Sequence, residues 1–325
     1  MLRFKKIRYI HSIKSFYTIL MKMKKYASKL LLFGEYTIIK GGLALAFPLP
    51  NYHGNWAFSD AIDNENLIKW KDYIADAQTE NPTIFDIDTN RFEADLKRGL
   101  YFDSNIPMGY GVGSSGALCA ALYDEYSVKT AKLAPTEATI FPLKTVFQTL
   151  ENFFHGSSSG IDPLICYLNQ PLLIKGKTDA ELVTLKPAKN AESAIFLLDT
   201  KRPRKTEPLV NFFLEKLENE DFNAAFENEW CAYNELIIND FLNQNNTDFY
   251  ENLHKLSTFQ FQHLPKMIPD DFINIWKNGL ENGLYTLKLC GAGGGGFLLG
   301  FTEDWAATED ELFRFGLKGT RISQI

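Results

Sequence analysis

Pro107-Met108-Gly109-Tyr110-Gly111-Val112-Gly113-Ser114-Ser115-Gly116-Ala117 sets three glycines at alternate positions ahead of two serines. An apolar segment follows at once, with Ala117, Leu118, Ala121 and Leu122 at helical spacing. The pattern predicts a glycine-rich loop that opens a helix over 114–126. Such a junction leaves several backbone N–H groups unpaired and pointing one way, at the end of the helix where the dipole is positive. Together these features make an anion cradle. The Ser114 and Ser115 hydroxyls sit where they can reach phosphate oxygens or a bound Mg²⁺. The loop is not a Walker A loop, which needs a lysine before its final Ser/Thr. Gly111 to Gly116 also fits Gly-x-Gly-x-x-Gly literally, but a turn with a serine N-cap satisfies the same residues.

Two further segments extend the reading to both ends of the chain. Lys29-Leu30-Leu31-Leu32-Phe33-Gly34-Glu35-Tyr36 is an apolar run bracketed by a lysine and a glutamate. Leu289-Cys290-Gly291-Ala292-Gly293-Gly294-Gly295-Gly296-Phe297-Leu298-Leu299 is a second glycine cluster between strand-like apolar residues. With these three segments in order, the sequence resembles the GHMP kinases, the superfamily of galactokinase, homoserine kinase, mevalonate kinase and phosphomevalonate kinase. The resemblance implies a two-domain α+β fold, with a ribosomal-S5-like N-terminal domain over 24–185 and a ferredoxin-like C-terminal domain over 186–325. It also implies ATP and Mg²⁺ as cofactors. Gly109, Gly111, Val112, Gly113, Ser114, Ser115 and Gly116 then become phosphate-binding residues. Gly291, Ala292, Gly293 and Gly294 form a supporting loop.

Chemistry concentrates in Glu151-Asn152-Phe153-Phe154-His155-Gly156-Ser157-Ser158-Ser159-Gly160-Ile161-Asp162. A helix over 143–155 would gather Leu143, Val146, Phe147, Leu150, Phe153 and Phe154 on one face, placing Glu151 about 80° from Leu143 at that face's border. Asp162 follows a Ser/Gly turn. Phosphoryl transfer to an alcohol needs an anion cradle, oxygen ligands for Mg²⁺, a proton acceptor and a cation. Glu151, Ser115, Asp162 and Lys29 are of the right types. The duller readings are N-capping for Asp162 ahead of Pro163, and ordinary surface positions for Glu151 and Lys29.

The spacing Glu-x-x-x-His-Gly-x-x-Ser-Gly-x-Asp is most like the mevalonate kinases. That resemblance implies Asp162 as catalytic base, Lys29 as the lysine beside the transferred phosphoryl group, Ser115 and Glu151 as metal ligands, and Glu35, Tyr36, His155 and Arg204 near the substrate. Thr200-Lys201-Arg202-Pro203-Arg204-Lys205-Thr206 looks like a further signature of that group, its cations facing either an acidic substrate or nucleotide phosphates. Gly34-Glu35-Tyr36 and Gly113-Ser114-Ser115-Gly116 are instead more like phosphomevalonate kinases.

Composition agrees. The 325 residues are 45% hydrophobic and 14% aromatic, enough for a large core in two domains. A net charge of −6 argues against nucleic acid as the main partner, so an acidic small-molecule alcohol would need locally placed cations. Cys119, Cys166, Cys231 and Cys290 are scattered, without metal-ligand or disulfide-framework spacing, which suits a reducing cytoplasm. No apolar run is long enough to span a bilayer, so no membrane association is expected of the catalytic body. The first 25 residues carry eight Lys or Arg and no acidic residue. Residues 1–23 are expected to be a basic extension outside the folded body, either disordered or not native. The oligomeric state is left open between monomer and homodimer.

Coarsely, strands and turns are expected over 26–60, with one run ending at Pro48. Buried strands are expected at Leu172–Ile174 and Ile195–Leu198, helices over most of 207–260, and a strand, glycine loop and strand over 284–301.

Overall fold

The structure is a computed structural model and describes residues 24–128, 132–134, 136–176, 179–186 and 190–322; the basic segment 1–23 lies outside the described residues. In chain order the first elements are β1 (Tyr26–Phe33), β2 (Leu43–Phe58), α1 (Glu65–Glu80), α2 (Thr89–Leu96), β3 (Leu100–Ser104), α3 (Ser114–Tyr126), α4 (Ile140–His155), α5 (Ile161–Leu168), β4 (Leu172–Lys175) and β5 (Ala180–Leu182). There follow β6 (Ala194–Asp199), α6 (Thr206–Leu217), α7 (Glu220–Ala225), a π-helical stretch (Phe226–Cys231), α8 (Ala232–Asn243), α9 (Asn246–His263) and α10 (Ile273–Asn282). The chain closes with β7 (Tyr285–Leu289), β8 (Phe297–Thr302), α11 (Trp305–Arg314) and β9 (Gly319–Ile322).

The chain divides into two compact units that are discontinuous in sequence. Of the described residues, the first takes those from 24 to Lys29, Pro48–Ile106 and Gly113–Asn169. The second takes Leu30–Phe47, Pro107–Val112 and Gln170 onward. Strands β1 and β2, and the glycine loop ahead of α3, each contribute residues to both.

In the first unit, β2 pairs antiparallel with β3 in the register Trp56↔Phe102. The aromatic core is built on Trp56, Trp70, Phe92, Tyr126 and Phe147, all buried. The buried indole N–H groups are satisfied by helix carbonyls, Trp56 donating to Ala121 and Trp70 to Leu150. Helix α3 is not amphipathic in its setting. Gly116, Ala117, Cys119, Ala120, Ala121, Leu122 and Tyr123 are all buried, which explains its run of small residues. At Gly116 it runs tight against α5: a Cβ there would lie 3.0 Å from the Asp162 carbonyl carbon and from the Pro163 nitrogen. That close crossing brings Asp162 to the start of α3.

In the second unit, β2 pairs antiparallel with β4, Leu43↔Lys175 through Ala46↔Leu172. The four-stranded sheet has the order β7-β8-β6-β9, with β6 antiparallel to both β8 and β9. The succession β6, helices, β7, β8, α11, β9 is a β-α-β-β-α-β chain in that order, the ferredoxin-like arrangement that the family resemblance implied. The expected end of a strand at Pro48 is overturned: β2 runs on through Pro48 and Pro50. The two prolines fall between the stretch paired with β4 and the stretch paired with β3, so their missing N–H groups break neither ladder.

Candidate active site

Within the first unit, the loop turns into α3 at Gly113, which is left-handed with φ 80° and serves as the N-cap. Only glycine fits, because a side chain there would strain the backbone and would sit 2.8 Å from the Lys29 Cγ. Lys29 therefore lies directly over the helix start. Its stem is buried, and Nζ stands 2.8 Å from the Asp162 Oδ2. Asp162 is not a cap. The N-cap of α5 is Gly160 in the left-handed region, so Asp162 is the second helical residue with its side chain free to meet Lys29. About two-fifths of that side chain is exposed (39%), leaving the carboxylate accessible to a small molecule.

Glu151, in the last turns of α4, is almost fully buried. Both its oxygens are held by serines: Ser115 Oγ donates to Oε1 at 2.8 Å and Ser158 Oγ to Oε2 at 2.5 Å. His155 Nε2 is 3.0 Å from the Ser115 Oγ, which already donates to Glu151, so the imidazole N–H is the donor in that contact. Glu151 forms no ion pair among the described residues. Burial raises its pKa, repulsion from Asp162 raises it further, and the two serine hydroxyls pull it back. A buried carboxylate with only hydroxyl donors and a second carboxylate nearby is a site that a cation would relieve. Among the described residues no three His, Cys, Asp or Glu side chains could hold a metal by themselves. One carboxylate and one serine suit Mg²⁺ that takes its remaining ligands from phosphate and water.

Within the second unit, Arg204 organises both glycine loops. Its N–H donates to the Gly109 carbonyl at 3.0 Å, and its guanidinium lies against Gly111 and donates to the Cys290 carbonyl. A Cβ at Gly291 would stand 2.7 Å from the same guanidinium. The Arg204 Nε is buried and without a partner among the described residues. The loop 291–296 spends its own amides on the protein: Gly294 N–H donates to Met267 and Gly296 N–H to Arg202.

Glu35 and Tyr36 fall outside any accessible position. The Glu35 carboxylate is fully buried in an ion pair with Lys288, whose ammonium also donates to the Leu32 carbonyl at 3.0 Å and the Leu289 carbonyl at 2.8 Å. Burial pulls the Lys288 pKa down to about 7. Tyr36 stacks on Phe213 with ring centroids 4.2 Å apart, and its hydroxyl donates to the Ala292 carbonyl at 2.8 Å. Its backbone is left-handed at φ 63°, a strained conformation for a tyrosine. Sequence reasoning missed Lys288 and Ser158. A lone lysine in the wholly buried strand Tyr285–Leu289 was the available signal for the first. Nothing local separates Ser158 from the serines on either side.

Residues 85–170 match the family described as GHMP kinases N terminal domain. No curated protein is a significant sequence match. Solved structures align over nearly the whole chain. The Streptococcus pneumoniae phosphomevalonate kinase in complex with phosphomevalonate and AMPPNP is 16% identical, covering 92% of this chain and 99% of its own, with a TM-score of 0.62. The Methanococcus jannaschii mevalonate kinase is 18% identical, covering 92% and 96%, with a TM-score of 0.60. The Lactococcus lactis galactokinase complexed with galactose is 15% identical, covering 92% of each, with a TM-score of 0.63. The chain thus has a two-unit α+β fold similar to that of these kinases, with a glycine loop at a helix start, and its residues 85–170 match the GHMP kinase N-terminal domain family.

Proposed function

We propose that this chain transfers the γ-phosphoryl group of Mg·ATP to the primary hydroxyl of mevalonate, in the cytoplasm. The observation that carries the reading is the Lys29–Asp162 pair, 2.8 Å apart at the start of α3. Asp162 takes the proton leaving the alcohol as the new O–P bond forms and the bond from the γ-phosphorus to the β,γ-bridging oxygen breaks, releasing ADP; Lys29 supplies a cation for the charge that develops on the transferred group. Ser115 and Glu151 hold Mg²⁺. The backbone of Gly109, Gly111, Val112, Gly113, Ser114, Ser115 and Gly116 cradles the phosphates. His155 and Arg204 are the polar groups assigned to the acidic substrate. Glu35 and Tyr36 fix the end of β1 rather than touch substrate, since both are buried and engaged.

Mevalonate is favoured by the spacing of Glu151, His155, Gly156, Ser159, Gly160 and Asp162. Phosphomevalonate is the second reading, favoured by Gly34-Glu35-Tyr36, by Gly116 and by the likeness to the S. pneumoniae enzyme. The test is ATP consumption by the purified protein on mevalonate, phosphomevalonate, galactose and homoserine side by side. We expect kcat/KM on mevalonate at least about tenfold above the others, a difference of about 1.4 kcal/mol in transition-state binding. A tenfold preference for phosphomevalonate overturns the choice of substrate.

A further inference from the structure

We propose that Ser158 is a positioning residue that locks the Glu151 carboxylate and ties it to the helix carrying Asp162. The inference deepens the proposed function and rests on Glu151 being a metal ligand.

The argument begins with a single oxygen. Ser158 Oγ donates to the Glu151 Oε2 at 2.5 Å and accepts the Gly160 N–H at 2.9 Å. Gly160 is the N-cap of α5, and Asp162 lies in that helix's first turn. One hydroxyl therefore bridges the buried carboxylate of α4 to the cap of α5. The hydroxyl is itself held, because the Ser158 N–H donates to the Asn152 Oδ1 at 2.8 Å. Gly160 cannot shift to compensate: its left-handed backbone is packed where a Cβ would stand 2.7 Å from the Gln148 nitrogen of α4.

The consequence concerns which face of Glu151 is offered. With Oε2 engaged by Ser158, the oxygen left beside the Ser115 hydroxyl is Oε1. Ser158 thus helps fix the carboxylate rotamer that keeps Oε1 beside the Ser115 hydroxyl. Without it, only the Ser115 hydrogen bond resists rotation of a carboxylate that carries repulsion from Asp162 about a soft terminal torsion. Groups that orient a metal ligand typically contribute about 10–100-fold to metal affinity or activity.

The experiment uses the full chain with Ser158→Ala, Ser158→Cys and Ser158→Thr. Ser158→Cys keeps the volume with a weak donor, and Ser158→Thr keeps the hydroxyl. Mn²⁺ affinity in the presence of AMPPNP is measured by electron paramagnetic resonance, beside the Mg²⁺ dependence of turnover. We expect Ser158→Ala and Ser158→Cys each to weaken Mn²⁺ binding by about tenfold and to raise the Mg²⁺ needed for half-maximal rate, with KM for the alcohol within about twofold. Ser158→Thr should bind Mn²⁺ close to wild type. Should Ser158→Ala not fold, the cysteine variant carries the same comparison. Wild-type Mn²⁺ affinity in the folded Ala or Cys variant overturns the inference, as does equal impairment of Ala, Cys and Thr, which would mark a packing role. If the wild-type protein itself binds no Mn·AMPPNP, the proposed function fails first and this inference falls with it.

Discussion

The molecule contains two lysine–carboxylate pairs of the same chemistry and opposite character. Lys288 and Glu35, in the second unit, are both fully buried. Lys29 and Asp162, in the first, join a buried lysine stem to a carboxylate 39% exposed. Burying two charges costs desolvation that their attraction repays only when every remaining donor and acceptor is satisfied. The buried pair comes close: Lys288 donates to two carbonyls besides Glu35, while one Glu35 oxygen lacks a partner among the described residues. Such a pair pins strand β7 to the end of β1. The half-exposed pair pins nothing comparable, and it leaves a carboxylate that a substrate can reach. The same two functional groups are structural where water is excluded and available for chemistry where it is not.

The largest expected effect comes from the accessible pair. Asp162→Asn should cut kcat by about 10²–10⁴-fold, with ATP binding within a few-fold of wild type. Its stability should change by less than about 1 kcal/mol, because the pair is partly solvated and Asp162 caps no helix. Steady-state kinetics and a melting curve on one preparation decide it. Near wild-type turnover would return Asp162 to a surface ion pair.

The buried pair should respond in the opposite sense. Lys288→Met leaves Glu35 as an uncompensated buried carboxylate and should cost about 3–5 kcal/mol in denaturant unfolding. The double variant Lys288→Met, Glu35→Leu should recover most of that loss, since removing both charges removes the desolvation cost with the attraction. It also sharpens the comparison. If Glu35 is structural, the folded double variant keeps KM for the alcohol within a few-fold. A rise above about tenfold, or 1.4 kcal/mol, would restore Glu35 to the substrate site.

Much of this was legible in local pattern. The helix begins at Ser114 as the glycine spacing predicts, α4 ends at His155, and the glycine cluster 291–296 lies between two buried strands. Glu151 and Asp162 are brought to one region by the short link from α4 to α5, so their ten-residue spacing carried the information. What was not legible depends on distant segments. The ion pair of Lys288 with Glu35 joins residues 253 apart in sequence, and no local periodicity encodes a partner at that range. The division of the chain into interleaved units was hidden for the same reason. It arises because two strands and one loop are shared, and prolines at 48 and 50 disguise one of those strands as a turn. Gly116 read as part of the phosphate loop, but its closest neighbours are the backbone atoms of α5.

The smallest effect is also the one that separates a metal ligand from a buried carboxylate that only the serines hold. Burial and the Asp162 charge raise the Glu151 pKa. A carboxyl whose folded value lies above its unfolded value contributes stability that is full at acid pH, below the unfolded value near 4.3, and is lost as pH rises through the folded value. Above that window the Glu151 anion is a net cost. Glu151→Gln removes the charge and keeps the hydrogen bonds, since the amide oxygen can still accept from Ser115 and the amide N–H₂ can donate to the Ser158 hydroxyl. The variant should therefore melt a few degrees above wild type at pH 8, with the gap closing toward pH 4. Mg·AMPPNP should reverse the order, because tighter ligand binding stabilises more and, on the proposed metal site, the variant lacks one of the oxygens that would hold Mg²⁺. A variant less stable than wild type at pH 8 would show that the serines, rather than an incoming cation, already compensate the charge. Equal stabilisation of both proteins by Mg·AMPPNP would remove Glu151 from the metal site and leave Asp162 and Lys29 as the chemistry of this unit.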